Sequence, residues 1–169
     1  HDAWGTSTNN VWAVGNGGTI IRWNGSVWAT VRSGASTEYL WDVWGADANN
    51  IWAVGSDGQI LKWNGSSWSA LGGGMGGDYP RVETLVVEGT STLYAGGYFT
   101  TAGGVSANNV AKWNGSSWSA LGSGMDSIVS TLTIGGGGSL YAGGRFTTAG
   151  GTSANRIAKW SNGNWSALG

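Results

Sequence analysis

The chain has 169 residues with 33 Gly, 13 Trp, one Pro, no Cys and a formal net charge of −1. So small a charge excludes strongly electrostatic attachment to nucleic acid or anionic membrane, and the lack of Cys excludes disulfides and thiol chemistry. Scarce helix formers and many large aromatic residues, each able to bury about 150–250 Å², indicate an all-β protein with a substantial core.

The first quarter of the chain introduces a pattern of four short strands. A strand around Ala3 is followed by strands at Val11 to Gly15 and Ile20 to Trp23, and a fourth begins at Trp28. Alternating apolar positions between short polar turns predict antiparallel strands. Asn24-Gly25 precedes the fourth strand and predicts a tight hairpin, because both residues tolerate positive φ.

The pattern recurs three times along the chain. Trp12 of the second strand aligns with Trp52, Tyr94 and Tyr141, at spacings of 40, 42 and 47 residues. Such a period is typical of propellers and solenoids, and four antiparallel strands per repeat describe a propeller blade. The sequence therefore predicts one all-β repeat domain over 1–169, a β-propeller with four four-stranded blades. The predicted blades are 1–36, 37–78, 79–125 and 126–169.

The copies differ in the loop between their second and third strands. This loop has four residues in the first two copies, at 16–19 and 56–59, and twelve in the last two, at 98–109 and 145–156. Both long loops contain Phe-Thr-Thr-Ala-Gly-Gly. We expect them to project from one rim of the disc, where loops on a rigid scaffold usually carry binding.

The whole chain resembles known families of propeller repeats. Copies three and four, with LYAGGYFTTAGG at 93–104 and NVAKWNGSSW at 109–118, resemble the kelch-related, delta-60-type repeats of bacterial exported propellers. Copies one and two, with DVWG at 42–45 and NIWAVG at 50–55, resemble BNR-like bacterial propeller repeats. The resemblance implies a β-propeller, and these families share no activity to carry over.

No strand pattern that would interlock the ring is visible. The flanks of blades 1 and 4 would then be exposed apolar edges that invite association. We expect two chains to pair through these flanks as a homodimer, giving an eight-bladed ring with two-fold symmetry. A closed four-bladed monomer and a fragment of a longer array are the alternatives.

Catalytic patterns are missing from the sequence. The single His, at position 1, offers no base beside a nucleophile. Asp2, Asp42 and Glu83 fall on first strands near the axis but show no spacing typical of a glycosidase pair, and we expect them to form hydrogen bonds across the central channel. No His pair or Asp-x-Asp run predicts a metal site. We predict that the chain is not an enzyme and that it holds no cofactor.

A cation precedes the third-strand Trp in every copy. The four residues are half of the eight Lys and Arg in the chain, and they are Arg22, Lys62, Lys112 and Lys159. They would form either a positive ring for an anionic polymer or stems stacked on neighbouring indoles. We favour stacking, because a residue fixed by the repeat usually serves the structure.

Aromatic residues outside the repeat are the candidate ligand-binding residues. Tyr39, Trp41, Tyr79 and Tyr98 fall in loops or where strands begin. An exposed ring there would stack on the apolar face of a sugar, with Arg145 supplying hydrogen bonds. Packing of these rings at the hub or between blades is the competing interpretation.

These observations predict a non-enzymatic propeller scaffold for interaction or structure. Residues 63–72 recur unchanged at 113–122, so the repeats were amplified recently or by engineering. The alternative is a multivalent carbohydrate-binding lectin, which the similar long loops favour, and a glycan-cleaving enzyme ranks below both. The expected partners are a second copy and a glycan or protein ligand. We expect a bacterial location outside the cell or at its surface, although this chain contains no signal peptide and no membrane span.

Overall fold

A computed structural model describes residues 1–34 and 38–168. This part of the chain is built of short strands, with one 3₁₀ turn at Gly136–Gly138. It includes no helix of the length and apolarity that a membrane span requires.

Four antiparallel sheets of four strands each carry the fold, and within each sheet the strands lie side by side in chain order. Sheet 1 comprises β1 (Asp2–Ser7), β2 (Asn10–Val14), β3 (Ile20–Trp23) and β4 (Trp28–Arg32). Sheet 2 comprises β5 (Leu40–Asp47), β6 (Asn50–Gly55), β7 (Ile60–Trp63) and β8 (Trp68–Ala70). Sheet 3 comprises β10 (Arg81–Glu88), β11 (Thr92–Tyr98), β14 (Val110–Trp113) and β15 (Trp118–Ala120). Sheet 4 comprises β16 (Val129–Ile134), β17 (Leu140–Gly144), β20 (Ile157–Ser161) and β21 (Asn164–Ala167).

Five two-residue strands lie outside these sheets. They are β9 (Met75–Gly76), β12 (Thr101–Ala102), β13 (Val105–Ser106), β18 (Thr148–Ala149) and β19 (Thr152–Ser153). The repeating four-strand pattern read from the sequence is confirmed, and the third strand of sheet 1 has the predicted bounds.

The turns before the fourth strands are wider than the sequence predicts. In sheet 1 the Asn24 side chain closes the turn, because its Oδ1 accepts hydrogen bonds from the N–H groups of Ser26 and Val27, each at 3.0 Å. Gly25 has a φ of +98°, but Asn24 is not among the residues with positive φ. Only the turn of sheet 4 is the two-residue type expected, with Asn162 at +50° and Gly163 at +79°.

The core lies in three seams where successive sheets pack face to face. Sheet 1 packs on sheet 2, sheet 2 on sheet 3 and sheet 3 on sheet 4, chiefly through first strands. In the first seam the buried ring of Trp12 lies 4.8 Å from the ring of Trp63 and 5.5 Å from that of Trp68. The other seams repeat this packing, with Trp52 in one cluster with Trp118, and Tyr94 in one cluster with Trp165.

Each of the two long loops is anchored to the sheets by a buried phenylalanine, which the sequence did not predict. Phe99 and Phe146 are fully buried in the second and third seams. Each loop forms a small hairpin, β12 with β13 and β18 with β19. The first hairpin also pairs with β9 in the segment that joins sheets 2 and 3. The long loops therefore pack into the second and third seams and complete their cores.

Candidate functional site

Within the described residues, the loops between second and third strands lie on one rim of the molecule, together with the residues that lead into the next sheet. We call this rim the loop rim. Isolated bridges tie the loop of one sheet to the start of the next: Asn16 pairs with Tyr39, just before β5, and Ser56 pairs with Arg81, the first residue of β10. These bridges hold side chains of different sheets at neighbouring positions around the axis.

A series of contacts connects two predicted site residues, Tyr39 and Tyr98, on the loop rim. The backbone N–H of Tyr39 donates to the Ser56 hydroxyl at 2.9 Å, and Ser56 in turn bridges to Arg81. The Arg81 guanidinium lies over the Tyr98 ring, 5.3 Å from its centre. Tyr39 and Tyr98 therefore belong to one cluster, which we call the axial cluster, and both rings are exposed.

A bulge in the first strand of sheet 3 adds the Glu83 side chain to the axial cluster. The strand register shifts at Trp41 in sheet 2 and at Glu83 in sheet 3. A bulge turns a side chain away from its regular direction. The Glu83 carboxylate accepts a hydrogen bond from Arg81 Nε at 2.7 Å, in an ion pair whose side chains are 37% and 33% exposed. Because so exposed a pair contributes little to stability, both charges are available to a ligand.

The other predicted site residues, Tyr79 and Arg145, lie in loop segments of the same rim. Tyr79 is 90% exposed in the segment before β10, with a φ of +52°. Arg145 is exposed and closes the second strand of sheet 4 as Tyr98 does in sheet 3, with its N–H donating to the Ile128 carbonyl at 2.9 Å. The contacts of the axial cluster connect Tyr39 with Tyr98 through Ser56 and Arg81, whereas Arg145 follows the second strand of the next sheet. Trp41 lies two residues after Tyr39, at the bulge of sheet 2.

Sequence reasoning missed the role of Arg81. Its spacing of two from Glu83 would have suggested side chains on one strand face. Pairing with Tyr98 and with Ser56 of another sheet depends on register, which the sequence leaves open.

A cavity of about 290 Å³ lies beside the loop rim between sheets 1 and 2. Its polar lining includes Arg32, Asp57 and Gln59, and the buried Oε1 of Gln59 has no hydrogen-bond partner. Arg32 also binds Glu38 at 3.1 Å. In sheets 3 and 4 the long loops bring Phe99 and Phe146 into the core, whereas the short loop of sheet 2 leaves this space open.

Two acids that the sequence left unpaired meet between the first strands of sheets 1 and 2. The carboxyl groups of Asp2 and Asp42 hydrogen-bond each other, and Asp2 also accepts a hydrogen bond from the Val43 N–H at 3.2 Å. Burial, then the hydrogen bond with Asp2, raises the pKa of Asp42 to about 6. Burial opposes ionisation of Asp2 too, but the hydrogen bonds from Asp42 and Val43 outweigh it and lower the Asp2 pKa. The pair therefore shares a proton in mildly acid solution.

The repeated cations stack on aromatic rings, as the favoured interpretation predicts. The distances from the charged group to the ring centre are 5.1, 5.6, 5.3 and 5.9 Å for Arg22 over Trp12, Lys62 over Trp52, Lys112 over Tyr94 and Lys159 over Tyr141. Within the described residues, no cluster of three or more His, Asp or Glu side chains is arranged to hold a metal ion.

Comparison with known proteins relates the chain to solved structures only. No protein-family model and no curated protein match the sequence. A structure of YCF48 bound to D1 peptide superimposes on 97% of this chain with a TM-score of 0.58 and 18% identity, over 51% of its own length. YCF48 from Cyanidioschyzon merolae matches 98% of the chain at 0.59 and 17% identity, over 54% of its length.

A GH74 xyloglucanase from Xanthomonas campestris gives a TM-score of 0.62 at 18% identity, over 98% of this chain and 24% of the enzyme. The chain thus spans about half the length of the YCF48 structures and about a quarter of the xyloglucanase. These neighbours are β-propeller proteins, so the chain has a propeller-like fold. At this level of identity the likeness concerns the fold alone.

Proposed function

We propose that this chain is a non-enzymatic propeller scaffold that binds an extended polypeptide across its loop rim. Each four-stranded sheet is one blade, so the chain supplies four blades. The axial cluster carries the proposal, because the exposed Tyr98 ring lies against the ion pair of Arg81 and Glu83, and Ser56 connects this ion pair to exposed Tyr39.

The chemistry of the axial cluster suits a peptide. Tyr and Arg are enriched among the residues that dominate protein interfaces, since their rigid planar groups combine apolar area with hydrogen bonding. Arg81 and Glu83 offer one charge of each sign. Binding of a peptide by a protein of similar fold, as in the YCF48 structure, supports the same class of ligand.

The acid pair argues against glycan cleavage. Glycosidases hold two carboxyl groups about 5–5.5 Å or 6.5–9.5 Å apart with the sugar between them. Asp2 and Asp42 instead bind each other. Polysaccharide hydrolysis that disappears in Asp42→Asn would contradict the non-enzymatic proposal.

Panning a phage-displayed library of random peptides against the chain tests the proposal. For peptides recovered, calorimetry compares the wild type with Tyr98→Ala and Arg81→Ala. We expect each variant to raise Kd at least about 30-fold, the loss typical of a dominant interface residue. Val27→Ala is the control, because Val27 is 57% exposed in a turn on the opposite rim and should leave Kd unchanged. Recovery of no peptide, or equal affinity in Tyr98→Ala, would refute peptide binding at this cluster.

A lectin is the second candidate, and the exposed rings of Tyr39 and Tyr98 favour it. The positions that close the second strands carry different residues, Asn16, Ser56, Tyr98 and Arg145, so the blades do not repeat one pocket. A glycan array separates the candidates. Saturable glycan binding that Tyr98→Ala abolishes would replace the peptide proposal with the lectin.

We also infer an origin among bacterial exported propellers, with kelch-related blades 3 and 4 and BNR-like blades 1 and 2. The charge-poor composition, 10% Asp, Glu, Lys and Arg, favours work outside the cell or at its surface. Fractionation of the producing bacterium checks this, and a purely cytoplasmic protein would contradict it.

A further inference from the structure

Two sheet faces lie outside the three seams. The leading face of sheet 1 carries Ala13, Ile21, Trp23 and Trp28, and the trailing face of sheet 4 carries Tyr141, Ile157 and Lys159. We propose that the leading face of one copy packs on the trailing face of a second copy, and that two such contacts close a head-to-tail dimeric ring.

The exposed fractions of equivalent side chains show that each outer face lacks the neighbouring sheet that covers the same face elsewhere in the chain. Trp28 is 48% exposed, whereas its equivalents Trp118 and Trp165 are 4% and 8% exposed. On the trailing face Ile157 is 44% exposed, although the equivalent Ile20, Ile60 and Val110 are buried. A shallow cavity of about 260 Å³, lined by Ala13, Thr19 and Ile21 among others, also opens on the leading face.

Both halves already have the geometry found inside the seams. The Trp23 and Trp28 rings lie 5.8 Å apart at 46°, and the Trp63 and Trp68 rings of the first seam lie 5.9 Å apart at 46°. On the trailing face Lys159 lies over Tyr141 as Lys112 lies over buried Tyr94. Little reorganisation is needed, so the ordering cost of association is small.

The two outer faces are also complementary in one hydrogen bond that occurs inside the seams. In the first seam Asp2 accepts a hydrogen bond from the N–H of Val43, and in the third seam Thr84 accepts one from the N–H of Leu132 at 3.3 Å. By register, Thr131 occupies the acceptor position in sheet 4 and Ala3 the donor position in sheet 1. An intermolecular seam would therefore join Thr131 of one copy to Ala3 of the other.

The curvature of the chain favours a second copy over other occupants. Nearly the whole chain superimposes on part of the YCF48 chain, a β-propeller protein, so its four sheets are arranged as successive blades of an incomplete ring. A second identical arc presents the faces that are missing. Two different faces meet at each contact, and two equal contacts related by two-fold symmetry close the assembly.

Light-scattering mass and sedimentation of the 169-residue chain test the proposal. We expect twice the chain mass of 17.3 kDa. Trp28→Glu and Ile157→Glu lie on opposite faces, and each should raise the dimer dissociation constant at least about 30-fold. The matched control is Val105→Glu, because Val105 is also 48% exposed but lies in the loop of sheet 3. Circular dichroism confirms that each variant is folded.

Mixing the two variants tests the head-to-tail arrangement. A Trp28→Glu chain keeps an intact trailing face and an Ile157→Glu chain keeps an intact leading face, so the mixture should associate more tightly than either variant alone. A wild-type mass of one chain, a mass well above two chains, or a dimer that Ile157→Glu leaves intact would overturn the proposal.

Discussion

At the scale of single residues, the proton shared by Asp2 and Asp42 is the most consequential feature. Two carboxylates this close repel each other when both are ionised, and partial burial strengthens the repulsion. Their positions, at equivalent places in neighbouring first strands, link the packing of sheets 1 and 2 to pH.

Stability should therefore fall between pH 5 and pH 8. The folded-state pKa of Asp42 is about 6, above the ordinary value of 3.8, so its contribution is fully present below 3.8 and is lost as the pH rises through about 6. Asp42→Asn keeps a donor toward Asp2 but removes this titration. The urea midpoint of the variant should change less between pH 5 and pH 8 than that of the wild type.

Asp47→Asn is the matched control for this pH experiment. Asp47 is exposed and its pKa is lowered, chiefly by the backbone N–H of Asn49 and by Asn50, so its contribution is lost only in stronger acid. The control should retain the wild-type change between pH 5 and pH 8. An Asp42→Asn variant with an unaltered pH dependence would show that the pair does not share a proton.

At the scale of elements, the long loops owe their shape to one buried ring each. Phe99 lies in one cluster with Leu71, Met75 and Trp118, so it holds its loop against both sheets of the seam. Asp126 also holds the equivalent loop of sheet 4, because its carboxylate accepts hydrogen bonds from Thr147 and Thr148. These hydrogen bonds lower the pKa of Asp126 to about 2.

Phe99→Ala should destabilise the protein by about 3–5 kcal/mol, the usual cost of emptying a buried Phe site. Tyr98→Ala removes the adjacent, exposed ring and should cost less than about 1 kcal/mol. Urea unfolding of both variants measures the difference. Equal losses would contradict an anchoring role for Phe99.

The strands could be predicted from the sequence wherever the pattern of neighbouring residues determines them. Period-two alternation in a segment such as Val82 to Val87 and the repeated Trp positions specify strands and their order. The bulges at Trp41 and Glu83, and the burial of Phe99, depend on register and on neighbouring sheets. The candidate site was accordingly predictable as exposed aromatic residues, but not as the cluster around Arg81.

At the scale of the whole molecule, each internal sheet face is covered by a tryptophan pair or by an aromatic residue with its cation. The same units recur on the two outer faces. Because a blade cannot bury both broad faces alone, the stability of such an array comes largely from contacts between neighbours.

Association should therefore make thermal stability depend on protein concentration. A partner that binds only the folded chain stabilises it by mass action, so the wild-type Tm should rise with each tenfold increase in concentration. Trp28→Glu should lower the Tm at high concentration and remove most of the dependence, since it disables the leading face. Val105→Glu should behave like the wild type. Scanning calorimetry across a hundredfold concentration range measures the effect, and a wild-type Tm that is constant over that range would refute coupling between folding and assembly.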